Sequence, residues 1–181
     1  TVAWRDHHVA HLDNLRAALD WAFAEPGEAS LAITLATAAA PLFDEMSLLP
    51  ERREWVRKAM ALASGETSPV SAGKLKLWSA MRSSWVRHWD SDLAGEAAAL
   101  FAAAGDPLWH GRALAMQAVG NGYAGRWDEA WPLLAASEAA LRPLGPTRTL
   151  SALLRYWGTM LIWKGRPRDA EPLIDEATEI A

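Results

Sequence analysis

The stretch "GRWDEAWPLL", residues 125–134, is written again forty positions later as "GRPRDAEPLI", residues 165–174. Gly125/Gly165, Arg126/Arg166, Ala130/Ala170, Pro132/Pro172 and Leu133/Leu173 are identical pairs, and Glu129/Asp169 and Leu134/Ile174 are close substitutes. A period near forty with helix–turn–helix content is the signature of a helical solenoid. Each Gly–Arg then lies at the turn between the two helices of one repeat. Gly supplies the φ > 0 conformation that ends the first helix at little steric cost. The matched Ala on the second helix lets the partner helix come close, and Leu133/Leu173 with Leu134/Ile174 fill the seam. The prolines leave two alternatives. A second helix starting at 127 or 128 places each Pro inside it, losing a backbone bond and crowding a carbonyl. A start delayed by a residue or two relieves that.

Helical spacing extends to the rest of the chain, and sustained period-2 alternation occurs nowhere. Val9, Leu12, Leu15, Leu19 and Phe23 form one stripe on a first helix over residues 7–25. Leu31, Leu35, Ala38, Ala39 and Leu42 line a second over 28–45. "LPERREWVRKAMALA" gives a third, with Pro50 acceptable near its start. "SGETSPVSAGK", 64–74, is the best loop candidate and a place to separate two subdomains. Leu77, Met81 and Trp85 then sit four apart on a fourth helix. "SDLAGEAAALFAAAG" is a fifth, with Ser91 as N-cap and Gly105 just past its end. Further helices follow over 107–123, 127–142 and 147–164, and a ninth starts near 167. Short breaks between helices of this length mean antiparallel hairpins. The expected fold is all-α: about nine helices in a right-handed superhelix of helix hairpins.

Composition limits what such a chain does. At 181 residues it can build a real core, and 51% apolar residues argue against disorder. The net charge of −4 comes with no basic excess or stripe, so direct nucleic-acid contact is not expected. The absence of Cys excludes disulfides and thiolate sites. No apolar run is long enough to span a bilayer, and "TVAWRDHH" has no signal-peptide core, so the expected location is the cytoplasm. The chain lacks an initiator Met and ends on "DEATEIA" inside a helical pattern, as a piece of a longer protein would. Eleven Trp stand against three Phe and two Tyr. Trp joins a large apolar area to an N–H that wants a partner, so many should lie at helix seams with one edge near water.

"GRWDEAWPLLAASEAAL" resembles the second helix of a tetratricopeptide repeat, with Gly125 at the turn and Ala130 at the small-residue position. "ALFAAAGDPLWHGRALAMQAVGNGYAGRWDEA" is similar to repeat arrays of large bacterial transcriptional regulators. "HLDNLRAALDWAFAEPGEASLAITLATAAAPLFDEMSLLPERREWVRKAMAL" resembles the helical segment that follows the ATPase module in winged-helix regulators of the STAND (NB-ARC-like) class. The resemblance implies residues 1–66 as that segment and 67–181 as tetratricopeptide-like repeats, together one continuous helical array. The phosphate-binding loop and the winged helix of that family lie N-terminal to this segment and are not in the sequence. Its one Gly–Lys step, Gly73-Lys74, is followed by Leu75, and Ser68 stands where a Walker loop begins with Gly. ATP binding is therefore not assigned, and no cofactor is expected.

Other chemistry-bearing patterns fail on spacing. His7, His8 and His11 share a first helical turn, but zinc needs three or four convergent ligands and a fourth is missing, Asp6 being marginal. "DSDLAG", 90–95, starts like a calcium loop, then places Ala94 at the third ligand position and Phe101 at the bidentate one. A helix cap fits it better. Asp44/Glu45 and Asp128/Glu129 are sequence neighbours, which do not face each other on a helix and make poor acid–base dyads. No nucleophile elbow or zincin motif occurs. No catalytic role is expected.

The tetratricopeptide resemblance implies a concave side lined by the first helix of each repeat. Carried over from the Gly125 and Gly165 anchors, it singles out Arg112, Val119 and Tyr123 in one repeat, and Arg155, Thr159 and Trp163 in the next. Arg and aromatics together suit a peptide or a carboxylate-bearing ligand. The expectation is thus a non-enzymatic sensor or interaction arm of a multidomain regulator, with a protein, peptide or small-molecule effector in its groove. A self-association scaffold that makes the chain a homo-oligomer is the second reading, and an enzyme domain the third.

Overall fold

The computed structural model describes residues 9–81 and 89–180. Among them are nine α-helices and one short 3-10 turn, with no strand. The helices are α1 (Leu12–Ala24), α2 (Ala29–Glu45), α3 (Leu49–Leu62), α4 (Pro69–Ala80), α5 (Ser91–Ala103), α6 (Pro107–Tyr123), α7 (Trp127–Leu141), α8 (Arg148–Trp163) and α9 (Pro167–Ile180). The chain divides into two compact units, Thr1–Ser79 and Ala80–Ala181.

In the first unit α1 packs on α2 and α2 on α3. Leu12, Leu19 and Ala22 of α1 are buried, as are Ile33, Ala36, Ala40 and Phe43 of α2 and Trp55, Val56 and Ala59 of α3. Two of the expected stripes are shifted. Val9 is exposed, and so are Leu31 and Ala38, because α2 turns Ala32, Ile33, Ala36 and Ala39 inward. A helix as uniformly apolar as "ASLAITLATAAAPLF" carries little phase information, so neighbours decide which side is buried. Phe23 and Trp55 meet at 5.4 Å, and the Arg16 guanidinium donates to both Glu51 oxygens at 2.7 and 2.8 Å, joining α1 to α3. Arg52 is 1% exposed. Its guanidinium lies 5.4 Å over the Trp78 ring and donates to the Trp78 carbonyl at 3.3 Å, with Asp44 3.4 Å away.

The expected 64–74 loop is shorter than its composition suggests. Ser68 accepts from the Ser71 amide at 3.1 Å, and Pro69 opens α4. A Ser cap followed by Pro is a helix start, so Gly73 and Lys74 are helical. The helix stops at Ala80, which leaves Met81 beyond it; Trp85 lies outside the described residues.

In the second unit α5 packs on α6, α6 on α7 and α8 on α9, while α8 also touches both α6 and α7. Through α8 the α8/α9 pair thus leans on the α6/α7 pair, a stacking compatible with a helical solenoid. The cap of α5 is Asp90, which accepts from the Leu93 amide at 3.0 Å; Ser91 is the first helical residue and is buried. Gly105 follows α5 as expected, with φ +66°.

The repeated phrase is explained position by position. Gly125 (φ +79°) and Gly165 (φ +71°) take the left-handed conformation that closes α6 and α8. The Arg126 amide donates to the Asn121 carbonyl at 2.8 Å and the Gly125 amide to Gly122 at 3.0 Å. The same pair recurs as Arg166 to Leu161 and Gly165 to Ile162, both 2.9 Å, so each corner is a Schellman motif. Each Arg then sits beside the acid three residues on: Arg126 Nε to Glu129 at 3.4 Å, Arg166 Nε to Asp169 at 2.6 Å. Ala130 and Ala170 are buried against the preceding helix. The helix starts are not delayed: α7 and α9 begin at Trp127 and Pro167, so Pro132 and Pro172 are both interior. Both prolines are exposed, as are Asp128 and Arg168 four residues earlier. The carbonyls that lose their helical donors therefore lie on a face that water reaches, which lowers the penalty.

Small residues let the pairs close. A Cβ on Gly111 would stand 2.6 Å from Leu141, and one on Gly158 2.8 Å from Ile174. A reciprocal hydrogen bond adds to this. Ser137 of α7 donates to the Gly111 carbonyl of α6 at 2.7 Å, while Ser151 of α8 donates to the Ala177 carbonyl of α9 at 2.7 Å. Positions 111/151 and 137/177 are each forty apart, so the same bridge is built twice with the donor on opposite helices.

Candidate functional site

The first helices of the two pairs, α6 and α8, carry all six candidate positions. Tyr123 and Trp163, forty residues apart, are 40% and 49% exposed, and their rings meet at 5.1 Å. Two exposed aromatics in contact present one apolar surface to solvent. On α8, Arg155 and Thr159, two turns and one turn before Trp163, are exposed along the same stripe, and the Thr159 hydroxyl donates to the Arg155 carbonyl at 2.8 Å. Arg112 is half-buried, its guanidinium 5.0 Å over the Trp109 ring. Tyr123, Arg155, Thr159 and Trp163 thus lie along one exposed strip, and Arg112 lies at the other end of α6.

Val119 is a correction. It is 5% exposed and belongs to the packing of α6, not to an open surface. The reason is that α6 is enclosed by α5, α7 and α8, so nearly every residue from Gly111 to Gly122 is buried. Thr159, its counterpart forty residues on, stays exposed on α8.

Around the aromatic pair, the side of the corner carries more aromatics and cations. Trp127 and Trp131 stack at 5.5 Å, and Lys164 stands 4.8 Å above the Trp127 ring. Arg126 donates to the Asn121 side chain at 2.6 Å and to the Ser91 hydroxyl at 2.7 Å. Buried Asn121 reaches Glu129 at 3.4 Å, so the last turn of α6 is fixed to the starts of α5 and α7. Position 161 holds Leu where 121 holds Asn, so this polar junction belongs to the first pair alone. Sequence reasoning passed over it; an Asn inside an apolar helix, five residues before an Arg, was the available signal.

The chain matches no family model, no curated protein and no solved structure. Among the described residues there is no grouping of three or more His, Asp or Glu side chains that could hold a metal ion. His7 and His8 lie outside the described residues; His11 is exposed at the start of α1. Asp44 sits beside Arg52, while Asp128 and Glu129 occupy the first turn of α7, where the helix dipole favours negative charge. Among the described helices none is long and apolar enough to cross a membrane.

The Trp residues divide as their amphipathic nature predicts. Trp55 and Trp78 are buried, and Trp89, Trp109, Trp127, Trp131 and Trp157 are half-buried. Trp21 and Trp163 stand out of the fold. Among the described residues of the second unit, Tyr123 and Trp163 are the exposed aromatics.

Proposed function

We propose that the chain is a non-enzymatic interaction arm whose α6/α8 face holds a protein or peptide partner. The contact between Tyr123 and Trp163 carries this reading: equivalent positions of successive repeats place two large, exposed aromatics side by side, where burial against a partner would be most rewarding. In this reading the helix pairs continue a right-handed superhelix. The arm belongs to a cytoplasmic regulator with a STAND-type ATPase module and a winged helix. Binding in the groove then shifts that regulator between two states by differing contacts in each.

Two experiments test it. A displayed peptide library is selected on the chain and counter-screened on a Tyr123→Ala/Trp163→Ala variant of unchanged helicity. Enriched peptides should lose most of their binding to the variant; peptides indifferent to both substitutions would refute the groove. The reading frame that encodes the chain tests the regulator assignment. A P-loop and a winged helix encoded upstream support it, and a frame without them rejects it.

A further inference from the structure

Charge in the second unit is sorted by helix. The first helices, α6 and α8, hold Arg112, Arg148 and Arg155 and not one Asp or Glu. The second helices, α7 and α9, hold eight acids and a single Arg. For α6 this can follow from burial alone. For α8 it cannot: Arg148, Arg155, Thr159, Ile162 and Trp163 are all exposed, and none is acidic. In a chain of net charge −4, an exposed strip of cations and aromatics without any carboxylate is a local inversion of the overall charge. Among the described residues Arg155 has no carboxylate partner, a state it shares with exposed Arg53 and Arg168, whereas Arg142 is paired with Glu138 and Glu176.

We infer that the strip from Arg155 to Trp163, with Tyr123 beside it, takes an extended acidic peptide, with a carboxylate at Arg155 and an apolar side chain on the Tyr123–Trp163 pair. This rests on the interaction-arm reading and adds the chemistry of the partner. Eight residues of helix separate Arg155 from Trp163, about 12 Å at 1.5 Å each. An extended peptide covers that in about four residues. The charge pattern gives the sign: a carboxylate is attracted to the guanidinium fork and meets no like charge along α8, while the acidic α7 and α9 repel it. A second copy of this chain fits less well. The exposed apolar surface here comes from three large side chains, Tyr123, Ile162 and Trp163, whereas a stable protein interface buries about 1,200–2,000 Å² in all.

The test uses the whole chain and three short fluorescein-labelled peptides, each with one central Leu: the first rich in Glu, the second with Lys at every Glu, the third with Gln. Fluorescence anisotropy is read at about 0.05 M and about 0.5 M salt, which moves the screening length from above 10 Å to below it. The Glu peptide should bind, weaken several-fold at the higher salt, and lose about tenfold affinity with Arg155→Glu and with Trp163→Ala. The Lys peptide should not bind. Equal binding of Glu and Lys peptides, or a Glu peptide indifferent to Arg155→Glu, overturns the inference. If the library selection yields neutral or basic peptides that depend on Tyr123 and Trp163, the groove stands and its acidic preference falls. If neither labelled nor library peptides sense those aromatics, both fall. Concentration-dependent self-association abolished by Arg155→Glu would instead make the strip an interface between copies, and the peptide inference would be wrong.

Discussion

Tyr123 and Trp163 are separated by one repeat length in sequence and by 5.1 Å between ring centroids. The left-handed glycine that follows each by two residues ends both helices at the same point, and α8 stacks on α6, so equivalent side chains fall on one face. The site is thus a consequence of the period.

The corners should be measurable one residue at a time. Gly125→Ala and Gly165→Ala each force a Cβ into the left-handed region, where an L-residue loses about 1–2 kcal/mol. No neighbour lies within 4 Å of either added carbon, so the loss is conformational, not steric. Ser47 holds the same conformation between α2 and α3, with φ +59°. Ser47→Gly should stabilise the first unit by up to about 1 kcal/mol. Urea unfolding of the three variants checks the opposite signs.

Gly111 is a different kind of glycine. A methyl there meets three atoms of fully buried Leu141 between 2.6 and 3.2 Å. Overpacking costs about 1–3 kcal/mol, which outweighs the gain in helix propensity of about 1 kcal/mol. Gly111→Ala should destabilise the protein in the natural background and become neutral or stabilising once Leu141→Ala has opened the space. A double-mutant cycle by thermal or urea unfolding reads this coupling, and additive effects would place the close approach elsewhere.

The doubled serine bridge predicts matched losses. Ser137→Ala and Ser151→Ala each remove one buried side-chain bond to a carbonyl, worth about 0.5–1.5 kcal/mol. The two values should agree within experimental error, because the bridges occupy equivalent places. A loss at one site only would separate the two repeats energetically.

Acid should weaken the inter-helix ion pairs. Arg142 donates to both Glu176 oxygens, at 2.7 and 3.0 Å, and holds that carboxyl below the usual glutamate range. Arg16 does the same to Glu51. A carboxyl lowered in the folded state adds stability above its unfolded value of about 4.3, and loses it as pH falls through the lowered one. The stability gap between the natural protein and Arg142→Gln should therefore be widest near neutral pH and close as acid protonates Glu176 below the usual glutamate range. Arg142 is exposed and Glu176 only half-buried, so solvent screens the pair, and the gap should be small and shrink with added salt.

Much of the fold was legible because helix pairs advertise themselves through turn chemistry. The repeated Gly–Arg phrase located both corners, and apolar spacing located the helices. What the sequence concealed was phase and enclosure. In α2, apolar on all sides, the buried face could not be read from the pattern; in α6, three neighbouring helices buried Val119 while leaving Thr159 of α8 open. The Ser68–Pro69 start of α4 hid among Ser, Gly and Thr residues that look like loop. Of the site, Tyr123 and Trp163 were accessible from the period, whereas the charge sorting between first and second helices needed the helix pairing to have a meaning.

The claim that successive repeats bring residues 123 and 163 together is tested most directly by pyrene excimer emission. The natural chain has no Cys, so Tyr123→Cys/Trp163→Cys gives two unique labelling sites on the surface. Pyrene at both positions should show strong excimer emission that vanishes on unfolding in urea, and a control pair at positions 123 and 171 should show monomer emission only. Monomer emission from the folded 123/163 pair would contradict the stacking of α8 on α6, and the binding strip with it.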